Sequence, residues 1–169
     1  MPIFLSTTVQ AHVACFDKIA GEYLFLLLKR AQDSPIYPGV WQTVTGKIEN
    51  GETAVDAARR EILEETGLTC DKIWTVPFVS TFFDAARDEV HAAPVFGCVV
   101  DANCAIKLSG EHSAYRWVAL EDIRRTVPLP THWQGAESFL HDCLLSKNPD
   151  LYLYRGIESP ESSIAEDKQ

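Results

Sequence analysis

The sequence predicts an α/β fold built on one partly antiparallel sheet. Three observations carry this. Short apolar or alternating segments with β-branched and aromatic residues recur along the chain. Helical patterns with recognisable ends are interleaved among them. Several connections are too short for the crossovers that parallel neighbours need.

In chain order, Thr8 to Phe16 is a predicted strand with Val9, Ala11, Val13 and Cys15 on one face. After a turn at Asp17 to Gly21, Glu22 to Lys29 (EYLFLLLK) is a continuous apolar run, as in a central strand buried on both faces. The two can pair as a hairpin. Arg30 to Val40 is a loop with Pro35, Pro38 and Gly39. Trp41 to Thr45 forms the next strand, ended by Gly46, and Asn50-Gly51 is a turn pair.

The following helix has both ends written in the sequence. Thr53 is the N-cap, with Asp56 as its capping-box partner, and the helix stops at Thr66 before the C′ glycine Gly67. Val55 and Ile62 are its buried anchors. Glu61, Glu64 and Glu65 share a face, because residues three and four apart are neighbours on a helix. Ala54, Ala57 and Ala58 lie on the same side and let the helix approach its neighbours closely.

Downstream, Ile73 to Phe83 and Val95 to Val100 (VFGCVV) are strands joined through a polar connection from Asp84 to Glu89. Asp101 to Gly110 is a loop and Ala114 to Val118 a short strand. Leu120 to Thr126 is a short helix ending before Pro128. A last helix has Thr131 as N-cap with Gln134 in the capping-box position. Its stripe of Trp133, Ala136, Phe139, Leu140, Cys143 and Leu144 is core packing. Residues 1–147 read as one domain and 148–169 as a C-terminal extension, docked or partly flexible. Leu151 to Tyr154 is a candidate homodimer contact.

The chain has 169 residues, 46% of them hydrophobic, which suits one globular domain. With Lys plus Arg at 15 and Asp plus Glu at 24, its formal charge is −9. That charge disfavours long nucleic acid and anionic membranes as partners. It also repels a polyphosphate unless bound cations reverse the local field. Cys15, Cys70, Cys98, Cys104 and Cys143 form no C-x-x-C pair, and their odd number indicates reduced buried thiols rather than a disulfide framework. The start of the chain lacks a basic n-region and a long apolar run, so the expected location is cytoplasmic.

Three carboxylates crowded on one helix face repel each other. Arg60 offsets part of that charge. A hard divalent cation offsets it more fully, since oxygen ligands suit Mg2+ or Mn2+. Carbonyl oxygens at Thr45 and Gly46 are further candidate ligands. A solvated acidic face is the plainer reading, but it leaves the glycine turn before the helix without a reason.

Gly46, Glu52, Arg60, Glu61, Ile62, Glu64, Glu65, Gly67 and Leu68 fill every specified position of G-x5-E-x7-R-E-U-x-E-E-x-G-U, where U is a bulky aliphatic. This stretch resembles the Nudix box. A chance match is on the order of one in a billion per starting position. The resemblance implies a mixed sheet sandwiched between helices and a metal-dependent pyrophosphohydrolase. In such an enzyme Glu64 and Glu65 match the main metal-binding glutamates, and Glu61 the one that binds metal or orients the water. Arg60 matches the arginine that holds these carboxylates, Glu52 a supporting residue, often a salt-bridge partner in the helix region and here also a candidate substrate contact, and the Thr45 carbonyl a common metal ligand.

Members of the family often take a further carboxylate from a later loop, for which Glu111 is the candidate, with His112 beside it. Asp88 and Glu89 are weaker ones. Trp41 to Gly46, Gly51 to Thr53 and Glu111 to Trp117 (EHSAYRW) are similar to segments of the dihydroneopterin triphosphate pyrophosphatase subgroup, whereas Phe82 to Phe96 departs from it. Trp41 and Phe82 are candidate stacking partners for a heterocycle, along with Tyr37, Phe83 and Trp133.

The expected reaction is Mg2+-dependent cleavage of a nucleoside or dihydroneopterin triphosphate to the monophosphate and pyrophosphate. The alternatives are hydrolysis of dinucleoside polyphosphates or ADP-ribose-type derivatives, and a non-catalytic nucleotide-sensing module.

Overall fold

The computed structural model describes residues 1–156. Its centre is β2 (Thr8–Asp17), because two different strands share one of its edges. Along its first half β2 pairs antiparallel with β5 (Val44–Lys47), from Thr8↔Lys47 to Ala11↔Val44. Along its second half it pairs antiparallel with β3 (Glu22–Arg30), from Ala14↔Phe25 to Asp17↔Glu22. Its other edge runs parallel to β7 (Glu89–Val100).

Outward from this centre, β6 (Trp74–Asp84) pairs with β7, and β8 (His112–Val118) and β4 (Trp41–Gln42) pair with β3. A three-residue strand, β1 (Ile3–Leu5), runs parallel to the start of β7. The sheet is therefore mixed and has eight strands.

Strand alternation sends opposite sets of residues to two helical layers. On one face Val9, Ala11, Val13, Leu26, Leu28 and Val44 pack against Val55, Ala57, Ala58 and Ile62 of α1 (Ala54–Thr66). On the other, Ala14, Phe25, Leu27 and Val95 meet Ile123 of α2 (Leu120–Thr126), Ala136 of α3 (Pro130–Ser138) and Phe139. The α/β/α sandwich expected from the resemblance is the observed architecture. Gly97 of β7 permits the second contact, since a Cβ there would run into the Phe139 ring.

Several local expectations need correction. The strand expected over Trp41 to Thr45 breaks at Thr43, and Gly46 lies inside β5 rather than ending a strand. Strand β7 begins at Glu89, not Val95, so Glu89 belongs to a strand and Asp88 to the turn, in the left-handed region at φ 54°. Helix α3 starts at Pro130 with Leu129 as its cap, not at Thr131, since proline fits the first helical position. It continues as a π-helical turn, Phe139–Leu144.

Cys70 and Cys98 form a disulfide between the segment after α1 and β7, against the expected all-thiol state, while Cys15, Cys104 and Cys143 are free. Leu151 to Tyr154 is engaged within its own chain. Thr75 N–H donates to Tyr152 O at 2.8 Å and Tyr154 N–H to Ile73 O at 2.9 Å, leaving Leu151 exposed. Residues 157–169 of the expected extension lie outside the described residues. Among those described, no helix is long and apolar enough to cross a membrane.

Candidate active site

The site is assembled by α1 and the turn that feeds it. Thr53 accepts from Asp56 N–H at 3.2 Å, and the Gly67 N–H donates to Leu63 O from φ 71°, so both predicted helix ends are present. Packing of Val55, Ala57, Ala58 and Ile62 fixes the rotation of the helix, which puts Arg60, Glu61 and Glu64 toward β5 and its exit.

Arg60 is the hub. Its Nε and Nη2 bind the two carboxylate oxygens of Glu52 at 2.9 and 3.0 Å. Its Nη1 reaches Glu61 at 2.8 Å and Glu64 at 3.1 Å, and Nη2 also donates to Lys47 O at 2.8 Å. The Glu49 N–H donates to the same Glu52 carboxylate at 3.0 Å. These charge-assisted bonds, foremost that from Arg60, hold the Glu52 carboxyl below its usual range. Burial raises that of Glu61, against the pull of Arg60. Gly46 has no side chain for a direct steric reason: a Cβ would occupy the space of the Glu61 carboxylate.

Glu65 stands outside the arginine's reach. It is 4% exposed, and its Oε2 is buried with no hydrogen-bond partner. Burial, then the charges of Glu61, Glu111 and Glu64, push its carboxyl up to about 9, with the charge of Arg30 opposing. The Glu111 carboxylate, on the loop before β8, thus lies within electrostatic reach of Glu65. Ser109 N–H to Glu65 O at 3.2 Å and Ala31 N–H to Glu111 O at 2.8 Å pin its loop against the helix end and the end of β3. His112 is buried beside it with neither ring nitrogen partnered, and burial lowers its pKa. Arg30, which sequence reasoning missed, lies within electrostatic reach of Glu65 and His112. A basic pair closing an otherwise apolar strand was the available signal.

The other expected site residues are distributed differently. Thr45 and Gly46 lie in β5, at the foot of α1. Trp41 is half-buried, with the Arg116 guanidinium 4.6 Å and the Lys29 ammonium 6.0 Å from its ring centre. Phe82 is exposed near the tip of the β6–β7 hairpin and stacks on His91 at 4.7 Å.

The residues fit a hard divalent cation. Glu61, Glu64, Glu65 and Glu111 present oxygen donors only, and Arg60, which binds Glu61 and Glu64 as well as Glu52, leaves the Glu65 oxygen buried and unpaired. A divalent cation held there would offset the charge that Arg60 leaves.

Residues 8–143 match the profile of the NUDIX domain family. The chain belongs to the Nudix family. It is a Nudix hydrolase, and the comparisons agree with that reading along most of its length. It is 34% identical over 112 residues to the nucleoside triphosphatase NudI of Escherichia coli, covering 62% of this chain and 79% of that one. The MutT protein of Methanosarcina mazei aligns with a TM-score of 0.65 at 29% identity, over 83% of this chain and 96% of that one. The dihydroneopterin triphosphate pyrophosphohydrolase of E. coli shares the fold, with a TM-score of 0.67 at 21% identity over 85% and 100% of the two chains.

Proposed function

We propose that this Nudix hydrolase cleaves a nucleoside triphosphate, or a pterin triphosphate of similar shape, to the monophosphate and pyrophosphate, with Mg2+ or Mn2+ as cofactor. The observation that carries the proposal is the arginine-held array of glutamates with Glu65 buried and unpaired beside it. The 34% identity to a protein named as a nucleoside triphosphatase favours a triphosphate over a linked diphosphate.

In this reading Glu61, Glu64 and Glu65 hold the cation, with the Thr45 and Gly46 carbonyls available from β5. When bound, the cation supplies charge stabilisation at the phosphoryl oxygens and acidifies the attacking water. Arg60 is a positioning residue. By gripping Glu52 through both oxygens and Lys47 O through its second amino group, it keeps a third contact for Glu61 and Glu64. Glu52 acts through Arg60, since its carboxylate is already engaged. Glu111, on the loop before β8, would take the proton of the attacking water.

A substrate panel with Mg2+ tests this. It contains canonical and oxidised nucleoside triphosphates, dihydroneopterin triphosphate, diadenosine polyphosphates and ADP-ribose, with phosphate and pyrophosphate followed separately. Pyrophosphate from a triphosphate is the expected result. Turnover only of dinucleotides or ADP-ribose would replace the substrate class while keeping the site. Tight binding without turnover would remove the catalytic reading altogether.

A further inference from the structure

We propose that Asp84, Glu89 and His91 form a second cation site, near the tip of the β6–β7 hairpin, for a transition ion of the Zn2+ class. One donor atom from each residue lies within 4.8 Å of the others. The register explains why. Asp84 pairs directly with Glu89, and Phe82 with His91, so all four side chains leave the same face of an antiparallel ladder. Two carboxylates directly opposite each other in a ladder are ordinarily unfavourable. Here they sit beside an imidazole, all three side chains being half-buried.

Each ligand is held before any ion arrives. Asp84 Oδ1 accepts from the N–H of Ala86 at 2.9 Å and of Arg87 at 3.3 Å, which fixes the carboxyl at the mouth of the turn. The His91 ring is stacked on Phe82 with 8° between the planes. Glu89 Oε2 lies 3.2 Å from His91 Nε2. The competitor is Arg87, whose Nη1 donates to Asp84 Oδ2 at 2.8 Å, but its side chain is 70% exposed and swings into water at little cost.

Imidazole nitrogen with two carboxylates suits Zn2+ or Co2+ better than Mg2+, which favours the all-oxygen set at the catalytic helix. The ion would tie β6 to β7 where β1 joins, through Ile3↔Glu89 and Leu5↔His91. It would thus fasten the end of a three-stranded ribbon rather than act on substrate.

The probe is Co2+ added to the full chain under saturating Mg2+, read by equilibrium dialysis and visible absorption. Expected is one Mg2+-resistant Co2+ per chain, with ligand-field bands of a nitrogen-containing site. His91→Ala removes it. Asp84→Asn keeps the size and the turn-capping oxygen and weakens binding at least about 10-fold, which settles the matter if His91→Ala fails to fold. Glu64→Gln, at the catalytic helix, keeps it. Two results overturn the proposal: no Mg2+-resistant Co2+ in the wild type, or equal binding in wild type and Asp84→Asn. Loss of the ion in Glu64→Gln would assign it to the catalytic cluster and refute the second site.

Discussion

Replacing Glu65 by glutamine isolates the electrostatic cost of the site. In the metal-free fold, burial and the carboxylates of Glu61, Glu111 and Glu64 hold the Glu65 carboxyl at about 9 instead of 4.5. A group whose folded pKa lies above its unfolded value binds more protons in the folded state. The stability tied to that proton is complete below the unfolded pKa and drains away as pH rises toward 9. The limiting slope is about 1.4 kcal/mol per pH unit, so from about pH 5.5 to 8 the chelated wild type loses roughly 3 kcal/mol on this account. Glutamine has the same size and no proton to lose. In EDTA the Glu65→Gln protein should therefore become more stable than wild type as pH rises, by roughly 3 kcal/mol at about pH 8, or roughly 6–12 °C in Tm for a chain of this length. Urea unfolding followed by circular dichroism across pH gives both slopes. Added Mg2+ should stabilise the wild type at the upper pH and the variant much less, and the variant's turnover should fall by about 10²-fold or more. A chelated variant with the wild-type pH slope, or one less stable at about pH 8, would refute the account of Glu65 as a buried, uncompensated ligand.

Other substitutions test separate parts of the structure. Gly46→Ala places a methyl group where the Glu61 carboxylate lies, so kcat should fall by about 10²-fold while the chain still folds, checked by steady-state kinetics beside a thermal melt. Arg60→Lys cannot keep the two-pronged grip on Glu52 together with Glu61 and Glu64, and should lose about 10²-fold in kcat/KM for a stability change under about 1 kcal/mol. Burial lowers His12 to about 3 and His132 to about 4, so their contribution is whole above 6.5 and disappears as pH falls. At about pH 5 the pair should cost roughly 4 kcal/mol, and His12→Gln with His132→Gln should flatten the acid limb of a stability–pH curve. Gly135→Ala would press a methyl group onto the Gln10 amide and His12 ring, both buried, and should cost about 1–3 kcal/mol in urea unfolding.

Elements whose ends are encoded locally were legible in the sequence. Helix α1 carries its own cap, anchors and stop, and the structure reproduces all three. Elements defined by a distant partner were not. Nothing in Ile3-Phe4-Leu5 marks a strand; it becomes one by lying parallel to Glu89–His91. The strand read from the sequence starts at Val95, one residue after Pro94, and proline cannot donate to a ladder. The structure places it where that donor is not needed. On one edge of β7 the β1 ladder ends at His91 and the β2 ladder begins at Val95, and on the other the β6 register shifts just before Val79↔Pro94. The Cys70–Cys98 pairing likewise depends on bringing the end of α1 over β7, which no spacing rule contains.

At the site the same division separates the box residues from the aromatic candidates. Five of the box residues, Gly46, Glu52, Arg60, Glu61 and Glu64, form one contact network. Gly46 is bare because Glu61 fills the space beside it, and Glu61 is held there by Arg60. Arg60 in turn needs Glu52 and the Lys47 carbonyl to complete its five donors. Each residue type is dictated by another within the same stretch, and that is why a linear pattern can encode the site. The aromatic candidates have no such closure. Trp41 reads as a free stacking surface until β8 brings Arg116 over its ring, and Phe82 until β7 brings His91 beneath it. The Trp41–Arg116 contact joins strands far apart in the chain and the Phe82–His91 contact joins the two strands of one hairpin, so both depend on strand pairing. The aromatic candidates are thus positioned by strand pairing, whereas the glutamates proposed to hold the cation are carried by one helix.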